Sequence, residues 1–93
     1  MKNKMTTTKE FNDKYADYLE ERHYGLAIEN PGVIKYLDQM FQGLIKIPGF
    51  KYSQIKLKYD AVCFYTNLHE VLDKPGRILR DEIEKNIDVL IKY

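Results

Sequence analysis

Gln54 to Thr66, QIKLKYDAVCFYT, is the stretch that most limits what this chain can become. Ile55, Leu57 and Tyr59 alternate with Lys56 and Lys58, the period of a strand with one face buried. Beyond Asp60, Ala61 to Thr66 is a continuous run of β-prone residues. Two such runs across so short a break predict a hairpin. A two-residue turn at Asp60-Ala61 sets Tyr59 opposite Val62, Leu57 opposite Phe64 and Ile55 opposite Thr66. Ile55, Leu57, Val62 and Phe64 then share one face, and Lys56, Lys58, Cys63 and Tyr65 share the other. Asp-Ala is a poor pair for a turn that wants positive φ at both positions, which leaves a longer loop open. An isolated hairpin is marginal in water, so the remainder of the chain has to cover its apolar face.

The flanking sequence supplies helices for that task. Thr7-Thr8-Lys9-Glu10 fits a capping box, and Phe11, Tyr15, Tyr18, Leu19 and Arg22 follow at helical spacing. These signals predict a first helix over 8–23, stopped by Gly25. Asn30-Pro31 opens a second helix, with Val33, Ile34, Leu37, Met40, Phe41, Leu44 and Ile45 forming a wide apolar face up to Lys46, before Pro48-Gly49. Asp73-Lys74-Pro75-Gly76 opens a third, with Leu79, Ile83, Ile87, Leu90 and Ile91 at helical spacing. In that helix Asp81, Glu82 and Glu84 come early and Lys92 late, the polarity that suits the helix dipole. The expected fold class is α+β: two N-terminal helices, a β-hairpin and a C-terminal helix packed on one face of the hairpin. One domain covers residues 1–93, with residues 1–6 as a flexible tail.

Charge and cysteine usage narrow the setting. The net charge of +1 gives no global attraction to nucleic acid or anionic membrane. The charges are nonetheless segregated, with acids crowding Glu10 to Glu29, and Lys46, Lys51, Lys56 and Lys58 the only charged residues between Asp38 and Asp60. Cys63 is the single cysteine, which rules out an intramolecular disulfide and favours a reducing compartment. The start MKNKMTTTKEF has no apolar signal core, and the longest apolar run, Ala61 to Tyr65, is too short to span a bilayer. The expected location is the cytoplasm, without membrane contact.

The segment Gln54-Ile55-Lys56-Leu57-Lys58-Tyr59-Asp60-Ala61-Val62-Cys63-Phe64-Tyr65 resembles a motif of small bacterial and phage proteins of unknown function. The general form of that motif is Gln-Ile-Lys-Glu-Lys-Phe-Gly-Gly-Leu-Arg-Phe-Tyr. Gln54, Ile55, Lys56, Lys58, Phe64 and Tyr65 match it, and Tyr59 and Val62 are close substitutes. Leu57 stands in place of the Glu, Asp60-Ala61 in place of Gly-Gly, and Cys63 in place of the Arg. The resemblance implies a hairpin and an origin in a phage or mobile element.

Little in the chain points to catalysis, cofactors or metals. Cys63 and His69 are the one thiol–imidazole pair that folding could join, and a packed, inert thiol is the commoner fate of a strand cysteine. Glu20-x-x-His23 has half the spacing of a di-metal site, but the second half is missing. No glycine-rich phosphate loop is present, and Pro48-Gly49 and Pro75-Gly76 read as turns. The expectation is therefore a non-enzymatic binding module. Its leading form is an inhibitor that occludes a host protein, such as an anti-defence or anti-CRISPR protein, docking by an acidic helix through Asp13, Asp17, Glu20, Glu21 and Tyr24. The alternative is an accessory protein that holds nucleic acid on Lys51, Lys56, Lys58 and Tyr65. A homo-oligomer is compatible with either.

Overall fold

The computed structural model of the protein describes residues 7–20, 25–59 and 61–92. It is an α+β fold of four α-helices and a three-stranded sheet. Helix α1 covers Thr8–Lys14 and opens on the capping box: the Thr7 hydroxyl accepts the Glu10 amide at 3.1 Å, and the Glu10 carboxylate accepts the Thr7 amide at 3.1 Å. Strand β1 is Gly25–Leu26 and helix α2 is Pro31–Leu44, capped by the Asn30 side chain, which accepts the Val33 amide at 3.2 Å. Strands β2, Tyr52–Lys58, and β3, Ala61–Thr66, form the hairpin. A short helix α3, Leu68–Val71, leads into the long helix α4, Lys74–Lys92.

The first helix stops well short of the expected residue 23. The chain continues as a 3-10 turn, Ala16–Tyr18, and then runs along β2. Leu19 bridges Tyr52 in parallel, and the Glu20 amide donates to the Tyr52 carbonyl at 2.8 Å. Asn12, Asp13 and Asp17 are weak helix formers, and β2 gives the Glu20 amide a backbone partner that a longer helix would forgo. Gly25 is accordingly not a helix stop. It pairs with Gln54 at φ +74, and β1 lies parallel to β2, with α2 as the crossover. Residues 21–24 lie outside the described residues.

The hairpin is turned one position earlier than expected. Lys58 pairs with Ala61, Leu57 with Val62, Lys56 with Cys63, Ile55 with Phe64 and Gln54 with Tyr65. Tyr59 begins the turn with φ +54. The shift moves each partner by two residues, so the two faces keep the membership expected from the alternation. A bulge between Tyr52 and Gln54 lets Tyr52 and Ile55, three apart, both enter the core. Leu57 departs from expectation: it faces the core side but is 44% exposed, because it pairs with Val62 near the tip, past the buried pair Ile55 and Phe64.

The core is aromatic and centred on α2. Phe41 stands 4.9 Å from Phe11, 5.0 Å from Tyr15, 5.0 Å from Tyr52 and 5.5 Å from Phe50, ring centre to ring centre, mostly edge to face. Val33, Ile34, Leu37 and Leu44 complete the buried face of α2, and Ile83 and Ile87 bring α4 onto it. Leu79 and Ile91 pack at the margin, and Leu90 turns outward. Gly76 sits inside the first turn of α4, where a methyl group would stand 1.9 Å from the Leu68 carbonyl oxygen. Pro75-Gly76 is thus the contact that lets α3 and α4 touch, not only punctuation.

Candidate functional site

The two surfaces singled out in the sequence are unequal in the fold. Asp13 and Asp17 do not share a continuous helix with Glu20, which lies beside Tyr52 in extended backbone. Asp13 is paired with Lys9 at 2.8 Å, one helical turn away. Glu21 and Tyr24 lie outside the described residues. Tyr15 belongs to the core and Tyr18 packs against it.

The lysine set also divides. Lys51 donates to the Asp17 carbonyl at 2.9 Å, so its ammonium is tied to the acidic segment. Lys56, Lys58, Cys63 and Tyr65 share the outer face of the hairpin, where none of them is buried. Tyr59 stands at the tip, 92% exposed, with the Lys58 ammonium 5.8 Å from its ring centre. Leu57, beside the tip, adds apolar surface. The sequence alternation aims Tyr59 and Leu57 towards the core, and the fold leaves both exposed. The signal that could have set them apart is the turn, since a tight turn after Lys58 places Tyr59 in it.

Among the described residues the other chemistries find no built centre, and His23 of the Glu20-x-x-His23 pattern lies outside them. The neighbouring Cys63 side chain, by hydrogen bonding and by the charge of its thiolate form, raises the Tyr65 pKa above its ordinary 10, with smaller help from burial and the Glu84 carboxylate. His69 is exposed on α3, and no contact between it and Cys63 is seen among the described residues. Among the described residues no group of three or more His, Cys, Asp or Glu could hold a metal ion, and no helix is long and apolar enough to cross a membrane. A depression of about 310 Å³ between β3 and α4 is lined by Ala61, Val62, Glu84, Lys85, Asp88 and Lys92. Lys92 and Asp88 pair there at 3.1 Å.

Glu84 has a structural task that the dipole argument did not reveal. Its carboxylate accepts the Phe64 amide at 2.9 Å, on the side of β3 that faces away from β2. The helix therefore closes the free edge of the sheet, which would otherwise invite another strand.

Comparison with known proteins gives no family: no family model, curated protein or solved structure matches the chain.

Proposed function

We propose that this protein is a small cytoplasmic binding module that docks on an acidic protein surface through the tip and outer face of the β2–β3 hairpin. The observation that carries this reading is Tyr59, 92% exposed at φ +54. Left-handed backbone costs a non-glycine residue roughly 1–2 kcal/mol, and such outliers gather where function sustains them. Burial returns nothing at Tyr59, and Gly, Asn or Asp would make the turn at less cost. Tyrosine is a favoured anchor at protein interfaces; the Lys58 ammonium lies 5.8 Å from its ring centre, exposed Leu57 adds apolar area near the tip, and Lys56 and Tyr65 continue the outer face away from it.

The concrete form of the proposal is an inhibitor from a phage or mobile element, of the anti-defence kind, that occludes a host protein. The motif resemblance supports that origin. The contact role goes to the hairpin rather than to the acidic residues, because Asp13 is already paired and Asp17 and Glu20 do not form one helical surface with it.

Immobilised wild type and Tyr59→Asn protein, each exposed to host lysate with and without nuclease treatment, test the reading. Asparagine keeps the left-handed backbone and removes the ring. The expected result is a protein captured by wild type and lost by the variant; equal capture by both overturns the proposal. Capture that requires intact nucleic acid moves the assignment to the second reading, single-stranded nucleic acid on Lys56, Lys58 and Tyr65. That reading is favoured by the presence of all three on one solvent-facing sheet surface.

A further inference from the structure

Helix α4 buries Ile83 and Ile87 and leaves its opposite side bare. At 3.6 residues per turn, Ile78, Glu82, Lys85 and Val89 fall within roughly 60° of one another on that side. All four are exposed, Ile78 at 59% and Val89 at 49%. Single exposed aliphatic residues are ordinary. The order of these four is not. Their spacings of four, three and four are those of a coiled-coil seam.

The stripe is also palindromic in its chemistry. Its midpoint lies between Ile83 and Glu84. In an antiparallel pair of α4 helices related by a two-fold axis at that point, Ile78 meets Val89 of the second copy and Glu82 meets Lys85 of the second copy. Each contact occurs twice, as an isologous interface requires. A parallel pair would set Glu82 against Glu82 and Lys85 against Lys85, so the charges select the antiparallel arrangement. Neither Glu82 nor Lys85 makes an ion pair among the described residues, whereas Arg80 pairs with Asp81 and Lys92 with Asp88 on the same helix.

We infer that α4 is a self-association surface, and that it pairs antiparallel with α4 of a second copy of this chain. The apolar ends Ile78 and Val89 supply the buried area, and the two Glu82–Lys85 pairs between them fix orientation and register. A 19-residue helix offers a contact about 28 Å long. That is a small interface, so the dimer is weak, and it loosens as salt screens the charge pairs. The inference does not depend on what the hairpin binds.

Sedimentation equilibrium over a range of concentrations tests it. Wild type is expected to dimerise reversibly. Glu82→Lys alone, or Lys85→Glu alone, sets like charges opposite each other and should weaken self-association by about tenfold or more. An equimolar mixture of the two variants regains opposite charges at both contacts and should dimerise at least as well as wild type, as should the double variant Glu82→Lys with Lys85→Glu. Recovery in the mixture also shows that both chains fold. A wild type that stays monomeric up to about 1 mM overturns the inference, since even a feeble specific contact would register there. So does a dimer indifferent to either reversal, or one that the mixture fails to restore.

Discussion

At the scale of single residues, two positions carry constraints that composition does not announce, a close backbone approach at Gly76 and a left-handed backbone at Tyr59. Gly76 has an α-helical neighbour on each side, yet any side chain there meets the Leu68 carbonyl. Gly76→Ala should therefore destabilise the fold by about 3 kcal/mol, even though alanine is the better helix former, because backbone cannot yield as a flexible side chain can. Equilibrium denaturation measures this, and an alanine variant as stable as wild type would mean that α3 and α4 do not touch as described. Tyr59 predicts the reverse pattern. Tyr59→Asn should leave stability unchanged or raise it by up to ~1 kcal/mol, while partner capture is lost. A stability loss above that range would assign Tyr59 to folding instead of binding.

At the scale of elements, the hairpin shows how edge and centre are treated differently. Phe64 is buried at its middle and Leu57 stands near its end. Phe64→Ala should cost about 3–5 kcal/mol and Leu57→Ala no more than about 1 kcal/mol, although both lie on the core face. Matching losses in denaturant melts would place Leu57 in the core after all. The Glu84 carboxylate closes the β3 edge, so Glu84→Ala should lose about 1.5–3 kcal/mol, the value of a hydrogen bond to a charged group. Glu84→Gln keeps an acceptor and should recover about half of that loss. The removed cap also exposes strand edge, so the alanine variant should aggregate sooner on heating. The other edge of β2 is closed by β1 and the Leu19–Glu20 segment, and Asn12 reinforces it, accepting the Leu26 amide at 2.8 Å and donating to the Leu26 carbonyl at 3.1 Å.

Across the whole molecule, stability is tied to tyrosine. Tyr15 donates to the Asp38 carboxylate at 2.5 Å and Lys14 donates to the same oxygen at 2.9 Å, joining α1 to α2. Burial, the Asp38 hydrogen bond and the Asp38 charge push the Tyr15 pKa up, and burial lifts Tyr52 to about 12. A raised folded pKa means that stability is whole below the unfolded value near 10 and drains away as pH rises above it. At the acid end, burial works against Asp38 ionisation, but the hydrogen bonds from Tyr15, Lys14 and Gln42 and the Lys14 charge outweigh it and hold its pKa below the ordinary 3.8. That contribution is present above pH ~4 and is lost as pH falls further. Unfolding free energy measured against pH should show both limbs. Tyr15→Phe should flatten both, leaving Tyr52 to carry the alkaline one. Unchanged limbs in that variant would refute the coupling between Tyr15 and Asp38.

What the sequence determined by itself was whatever depends on neighbours along the chain. The Thr7–Glu10 box, the Asn30-Pro31 start, the helical stripe from Val33 to Leu44 and the alternation from Ile55 to Phe64 are local patterns, and each became the element it describes. The tertiary structure decided what rests on distant partners. Helix α1 ended at Lys14 and gave way to a 3-10 turn that delivers the Glu20 amide to the Tyr52 carbonyl of β2, a partner distant in the chain, and two residues of β1 have no period to read. The turn moved to Tyr59 because register is set by both strands and the core beneath them. The same division runs through the candidate site. Lys56, Lys58 and Tyr65 were legible as one face from alternation alone. That Lys51 would be claimed by the Asp17 carbonyl, that Leu57 would lie open and that Tyr59 would stand nearly free at the tip depended on which side chains the fold brought near. Periodicity reports the direction in which a side chain points; burial depends on what else arrives there, and that is a property of the packed chain.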